Sequence, residues 1–185
     1  MKKVIFLLLI ITTVHSSNAQ MTFGIKGGIN LASVKETGSG LSSTTSNRTA
    51  FLLGVFGNFQ VSDHLKVQPE LAYSGMGGSI LGQSFQEEYL IVPVVGQYFL
   101  TEKLYLQAGP QLGLLMSAKA AGTDIKSSFK TTDLQLLIGG GYHLTDNISI
   151  DARYGFSLGS ISTGSYAAYT DKNRAFSFTV AYAFK

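Results

Sequence analysis

Cysteine and tryptophan are both absent, proline occurs only three times, and only 14% of the 185 residues are charged. Without cysteine there is neither a disulfide framework nor a thiolate metal site. An ordinary soluble domain carries about 25% charged residues. So low a fraction implies that much of the outer surface does not meet water. Beyond the first residues no apolar run is long enough to span a bilayer as a helix. If the mature chain crosses a membrane, it must do so as a closed β-barrel, because lipid offers open backbone no hydrogen-bond partners. No spacing of His, Asp or Glu matches a zinc site or a calcium-binding EF-hand loop, so no cofactor or metal is expected.

What is present is 21 glycines, 12 phenylalanines and 9 tyrosines, the composition of a glycine- and aromatic-rich β protein. Residues 1–19 read as a cleaved signal peptide. Lys2 and Lys3 form the basic segment, Val4 to Val14 the short apolar segment, and Ser17-Asn18-Ala19 the small-x-small site. Residues 20–185 are then one domain. Lys2 and Lys3 leave with the leader, so the 14 Lys and Arg fall to within one of the 11 Asp and Glu. The pI near 9.0 belongs mostly to the precursor and is no argument for nucleic acid.

The last segment, Ala175 to Phe184, alternates with a strict period of two. Phe176, Phe178, Val180, Tyr182 and Phe184 share one face; Ala175, Ser177, Thr179, Ala181 and Ala183 share the other. Seven more segments alternate the same way, starting near Met21, Thr49, Leu65, Gln86, Leu104, Thr131 and Ile148. Three connections are tight and alike: Val61 to Leu65, Leu100 to Leu104 and Leu144 to Ile148. Each runs apolar, Ser or Thr, acid, polar, apolar, so the repeating unit is a hairpin. In these turns Asp63, Glu102 and Asp146 are expected to cap the backbone, and His64 to be solvated. The other connections, Val34–Arg48, Gly77–Phe85, Lys119–Lys130 and Ser160–Lys172, are longer and rich in Gly, Ser and Thr; the first is expected to be a mobile loop. Short turns on one rim and long loops on the other define an eight-stranded antiparallel up-and-down transmembrane β-barrel, with periplasmic turns and extracellular loops.

The charges decide which face meets lipid. An arginine on the lipid face at mid-membrane costs roughly 2–4 kcal/mol. No large-face position carries a charge through the strand middles; Glu88, Lys130 and Arg174 share that face only beside the long loops. Aromatics gather towards both strand ends, as in two interfacial girdles. The rival is a soluble lipocalin-like barrel with its greasy face inward, but its water-facing side should then be rich in Lys and Glu, and the small face is not.

An eight-stranded barrel is just wide enough for its own side chains to fill. Counting from the tight turns pairs Gln60 with Lys66, Phe56 with Glu70, His143 with Ser149 and Gly139 with Arg153. Lys26, Glu70, Asp151 and Arg153 are thereby predicted to form a polar cluster plugging the lumen, with small-face glycines making room for long polar side chains. His143, Ser149 and Asp151 evoke a hydrolase triad, but they sit low in a filled lumen without the glycine elbow such a serine needs. Pro69, Pro93 and Pro110 fall inside three successive strands, where each removes a ladder donor; β-bulges are the expected accommodation.

Gly24-Ile25-Lys26-Gly27-Gly28-Ile29-Asn30-Leu31 and Pro69-Glu70-Leu71-Ala72-Tyr73-Ser74 carry a resemblance across the mature chain. Tyr89-Leu90-Ile91-Val92-Pro93, Gly139-Gly140-Gly141-Tyr142 and the Tyr182-Ala183-Phe184 ending add to it. The chain resembles the PorT-like outer-membrane β-barrel proteins of Bacteroidetes and, more loosely, OmpA/OmpX-type barrels. That resemblance implies the outer membrane as location and recognition of Phe178, Val180, Tyr182 and Phe184 by the barrel-assembly machinery, although Lys185 departs from the family's aromatic ending. It implies a non-enzymatic barrel. The leading expectation is a monomeric envelope or surface-interaction protein surrounded by outer-membrane lipid. A component of a protein secretion apparatus is the first rival, and an outer-membrane lipid-modifying enzyme a further one. No His faces lipid near the outer rim, as such an enzyme would require.

Overall fold

The computed structural model describes residues 21–38, 41–80, 83–163 and 170–184. The expected leader and Lys185 lie outside the described residues. The strands are β1 (Met21–Gly38), β2 (Leu41–Thr44), β3 (Ser46–Ser62), β4 (Leu65–Ile80), β5 (Gln83–Phe99), β6 (Leu104–Ala120), β7 (Thr123–Asp124), β8 (Thr132–His143), β9 (Ile148–Ser157) and β10 (Thr170–Phe184). Eight of them make the wall, each antiparallel to its chain neighbour, while β2 and β7 are short returns at the loop end. β10 pairs back onto β1 from Phe23–Phe184 to Thr37–Thr170, and this pairing closes the barrel. Closure leaves no sheet edge, the condition lipid imposes.

The alternation puts large apolar side chains outside. In β10 Phe176, Phe178, Val180, Tyr182 and Phe184 are exposed, while Ala175, Thr179 and Ala181 are buried. Leu53 and Val55, Leu104 and Leu106, and Leu134 and Ile138 are exposed in the same way. The pairings Gln60–Lys66, Phe56–Glu70, His143–Ser149 and Gly139–Arg153 are all present.

The tight turns share a hydrogen-bonding rule. Thr101 Oγ1 accepts from the Leu104 amide at 3.0 Å, and Thr145 Oγ1 accepts from the Ile148 amide at 3.0 Å. In these two turns the threonine hydroxyl caps the backbone, also accepting from the amide two residues on at 3.3 Å, as in an ST-turn. The last polar residue of each turn then links hairpins. The His64, Lys103 and Asn147 carbonyls accept from the amides of Phe99, His143 and Ala183 at 2.8, 2.9 and 2.8 Å.

Expectations for two of the loops and for the prolines are corrected. Val34–Arg48 is not simply a loop. β1 continues to Gly38 and returns as β2, with Thr45 as the break: its amide donates to the Val34 carbonyl at 3.0 Å, and its hydroxyl accepts from the Val34 amide at 2.9 Å. Above the lipid there is nothing for an apolar face to cover, so the strand continues on Ser and Thr without alternation. Lys119–Lys130 similarly holds a two-residue hairpin turn at Ala121 and Gly122, both at positive φ (47° and 84°), joining β6 to β7. The prolines also differ from expectation. The β4–β5 register is the same before and after Pro69, and the β5–β6 register is the same across Pro93 and Pro110. The ladder lapses for two residues and resumes in step. The register shifts in these sheets fall elsewhere, at 47–52, 60–62 and 88–89.

Candidate functional site: the filled lumen

Lys26, Glu70, Asp151 and Arg153 come from β1, β4 and β9, and all four are buried. Glu70 Oε1 meets Lys26 Nζ at 3.0 Å and Arg153 Nη2 at 2.8 Å. The Arg153 contact is an ion pair whose N–H is not aimed at the oxygen, so Nη2 donates no aligned hydrogen bond. Asp151 lies 3.9 Å from Lys26 Nζ and 4.0 Å from Arg153 Nη2. Neutral donors complete it: Tyr105 Oη and Gln107 Nε2 donate to Asp151 Oδ1 at 2.8 and 2.6 Å. Gln97 donates to Gln68 at 2.9 Å, and Gln68 to Glu70 at 2.5 Å. Two charges of each sign thus form one enclosed network. Buried charges are tolerable when paired and hydrogen-bonded in this way. The void beside it is about 20 Å³, room for roughly one water.

Asp151 is engaged by this network. His143 instead stacks on Phe99, centroids 5.7 Å apart and 9° from parallel, and lies 5.4 Å from Tyr105. Asp151 and His143 thus stand in two arrangements joined by Tyr105, and Ser149 lies opposite His143 in the β8–β9 pairing. Lys66 Nζ sits 4.7 Å above the Phe99 ring, so an aromatic cap with one cation closes the short-turn end.

The lumen is more aromatic than its sequence pattern suggested. Phe56, Tyr89, Phe99 and Tyr105 all point inward and are buried. Several lumen glycines make room for rings and not for polar chains. A Cβ at Gly141 would lie 2.4 Å from Tyr105 Cζ, and one at Gly24 would lie 2.3 Å from Phe56 Cζ. At Gly139 a Cβ would meet the β9 backbone first, including Arg153 Cα 2.8 Å away, and then Arg153 Cγ at 3.1 Å, so close strand approach as well as a long side chain requires glycine there. One signal for the aromatic filling was available: Tyr89 to Val95 is apolar on both faces, the pattern of a strand buried on both sides.

Towards the loops a second cluster occupies the lumen. Asn173 Nδ2 donates to Glu87 Oε2 at 2.9 Å and approaches Asp133 Oδ2 at 3.4 Å. Tyr89 Oη donates to Glu87 Oε2 at 3.0 Å; Gln135 Nε2 and Ser157 Oγ donate to Asp133 Oδ2 at 2.6 and 2.8 Å. Among the described residues neither carboxylate has a salt bridge, and Glu87 Oε1 and Asn173 Oδ1 are buried without a partner. No sequence motif joins these residues, which come from β5, β8, β9 and β10. Ile125 and Phe129 pack against a buried apolar cluster that includes Met76, Leu115 and Ala118.

Outside, the assembly-signal candidates Phe178, Val180, Tyr182 and Phe184 are exposed along the closing strand. The wall is apolar outward, closed, and plugged by its own side chains: the layout of a small transmembrane barrel of the outer-membrane type. The model of the outer membrane protein β-barrel domain family matches residues 4–184, and the chain belongs to that family. Neisserial surface protein A is 18% identical with a TM-score of 0.56, over 88% of this chain and 97% of that one. The attachment invasion locus protein Ail of Yersinia pestis is 17% identical with a TM-score of 0.50, over 88% and 98%. At such identity these neighbours share the fold. No curated protein matches the sequence significantly. Family and fold point to the outer membrane.

Proposed function

We propose that this barrel is a non-enzymatic, monomeric envelope protein of the PorT-like or OmpX-like kind, acting at the cell surface and not as a pore. The observation that carries the reading is the neutral network of Lys26, Glu70, Asp151 and Arg153 across the lumen, with a void no larger than about one water. A channel needs a continuous polar path; here the path is filled. In this reading residues 1–19 direct export. The exposed row Phe178, Val180, Tyr182 and Phe184 offers the barrel-assembly machinery its recognition strand, surface specificity resides at the loop end, and the belt contacts outer-membrane lipid.

The test has two parts. Membrane fractionation should place the mature chain in the outer membrane, with heat-modifiable gel migration. Planar-bilayer recording of the purified barrel should show no stable conductance steps; a steady nanosiemens-scale pore would overturn the plugged reading.

A further inference from the structure

The upper cluster concentrates negative charge without a counter-ion. Glu87 and Asp133 are buried, and among the described residues neither meets a basic side chain. The cations at this end are engaged elsewhere. Lys35, Lys172 and Arg174 carry the parity of the exposed Ile29, Phe176 and Phe178, which is outward. Arg48 is held by Glu88 at 3.0 Å and by the Met76 carbonyl. The acids continue towards the loops instead: Glu36 and Asp171 stand opposite each other with the inward parity, both partly exposed. Buried carboxylates without a positive partner are costly, and an inward file of them draws cations from solution.

The amide nitrogen of Asn173 stands where a cation would. Nδ2 lies 2.9 Å from Glu87 Oε2, 3.3 Å from Tyr89 Oη and 3.4 Å from Asp133 Oδ2, so three oxygens surround one point. The other end of the same amide is bare. Asn173 is 1% exposed, yet its Oδ1 has no donor, and neither does Glu87 Oε1. The two ends of an amide have nearly the same shape. Turning the Asn173 amide over would bring Oδ1 towards the carboxylates, an arrangement that is favourable only with a cation between them.

The donor set selects the ion. Among the described residues no three His, Cys, Asp or Glu converge as a transition metal would ask. What converges is oxygen, with two carboxylates to balance a divalent charge. Calcium accepts carboxylate, amide and water oxygens in loose geometry at about 2.3–2.6 Å, so the oxygens around the Asn173 amide need close in by only about half an ångström to one. Magnesium demands a tighter octahedron.

We propose that Glu87, Asp133 and the turned amide of Asn173, with Tyr89 Oη beside them, bind a calcium-type divalent cation inside the loop end of the lumen, reached past Glu36 and Asp171. The site is a dead end, because the network of Lys26, Glu70, Asp151 and Arg153 closes the lumen below it. The bound ion ties β5, β8 and β10 together beneath the loops, a role that goes beyond the envelope function proposed above.

The mature chain is folded in an amine-oxide detergent, which offers no phosphate, stripped with chelator, and titrated with terbium, which takes calcium's oxygen ligands. The chain has no tryptophan, so terbium emission on ultraviolet excitation reports an ion close to a tyrosine, here Tyr89. Wild type should show saturable emission that calcium displaces at lower concentration than magnesium does. Calcium should also raise the temperature at which heat-modifiable migration is lost, because an ion that binds only the folded barrel stabilises it. Glu87→Gln and Asp133→Asn, each removing one charged ligand, should weaken terbium binding about tenfold or more and lose the calcium-dependent shift. D63N/E102Q, which removes two acids from the short turns, should bind as wild type does. No saturable emission from wild type, wild-type binding by Glu87→Gln and Asp133→Asn, equal weakening in D63N/E102Q, or magnesium competing as well as calcium each overturns the proposal. Gel migration shows first that each variant is folded, and either single-residue variant suffices for the test.

Discussion

Near the short turns the lumen encloses Lys26, Glu70, Asp151 and Arg153, two charges of each sign. Nearer the loops it encloses Glu87 and Asp133, with no cation in contact among the described residues. Both clusters are buried, and both are built on side chains from strands far apart in sequence. They differ in how burial is compensated. In the lower cluster each ion faces opposite charge and Gln68, Gln107 and Tyr105 add neutral donors, with Arg153 Nε and Nη2 and Gln107 Oε1 left without a hydrogen-bond partner. In the upper one Tyr89, Gln135, Ser157 and Asn173 supply only neutral donors, and Glu87 Oε1 stays without one. The lower cluster therefore depends on every member. The upper one holds more charge than its donors satisfy.

Substitutions should separate the two. Glu70→Gln leaves Lys26 and Arg153 buried with one distant carboxylate between them. Breaking a buried ion network in this way costs about 3–5 kcal/mol, and urea unfolding of the barrel in lipid vesicles should show a loss of that size. A loss under about 1 kcal/mol would mean the network is solvated and acts like a surface pair. Gly141→Ala places a methyl group against the Tyr105 ring and Asp151. Overpacking of this kind costs about 1–3 kcal/mol, and an unchanged unfolding midpoint would show that Tyr105 can move away without loss.

In the upper cluster the sign should reverse. Glu87→Gln removes a buried charge that has no counter-ion and keeps an oxygen for Tyr89 and Asn173. Stability should hold or rise by about 1 kcal/mol; a fall as large as that of Glu70→Gln would erase the contrast. The smallest effect belongs to the rim pair. Arg48 and Glu88 are partly exposed, so Glu88→Gln should cost at most about 1 kcal/mol. That cost should shrink further in high salt, whereas the enclosed network should respond little.

These contrasts also mark what could be read before the fold was known. Alternation in Ala175–Phe184 and its seven counterparts specifies strands and their faces, because side chains on a pleated strand point to opposite sides in turn. The three matching tight turns specify register, so the Phe56–Glu70 and Gly139–Arg153 pairings follow by counting. The extension of β1 and β2 beyond the lipid was not legible, because above the membrane no apolar face is required and Ser and Thr serve a strand as well as a loop. The aromatic filling at Tyr105 and Phe56 was obscured for another reason: its complement is a missing side chain, at Gly141 and Gly24, on another strand.

By itself the sequence determined that the wall is a closed set of alternating strands with its greasy side outward, since charge-free outer positions and unpaired backbone in lipid leave no other arrangement. Only the tertiary structure decided which buried charges meet. Closing the barrel brings β1, β4 and β9 together across the lumen in one place and β5, β8 and β10 in another, and distances across a lumen are set by the curvature and stagger of the whole wall, which no local pattern encodes.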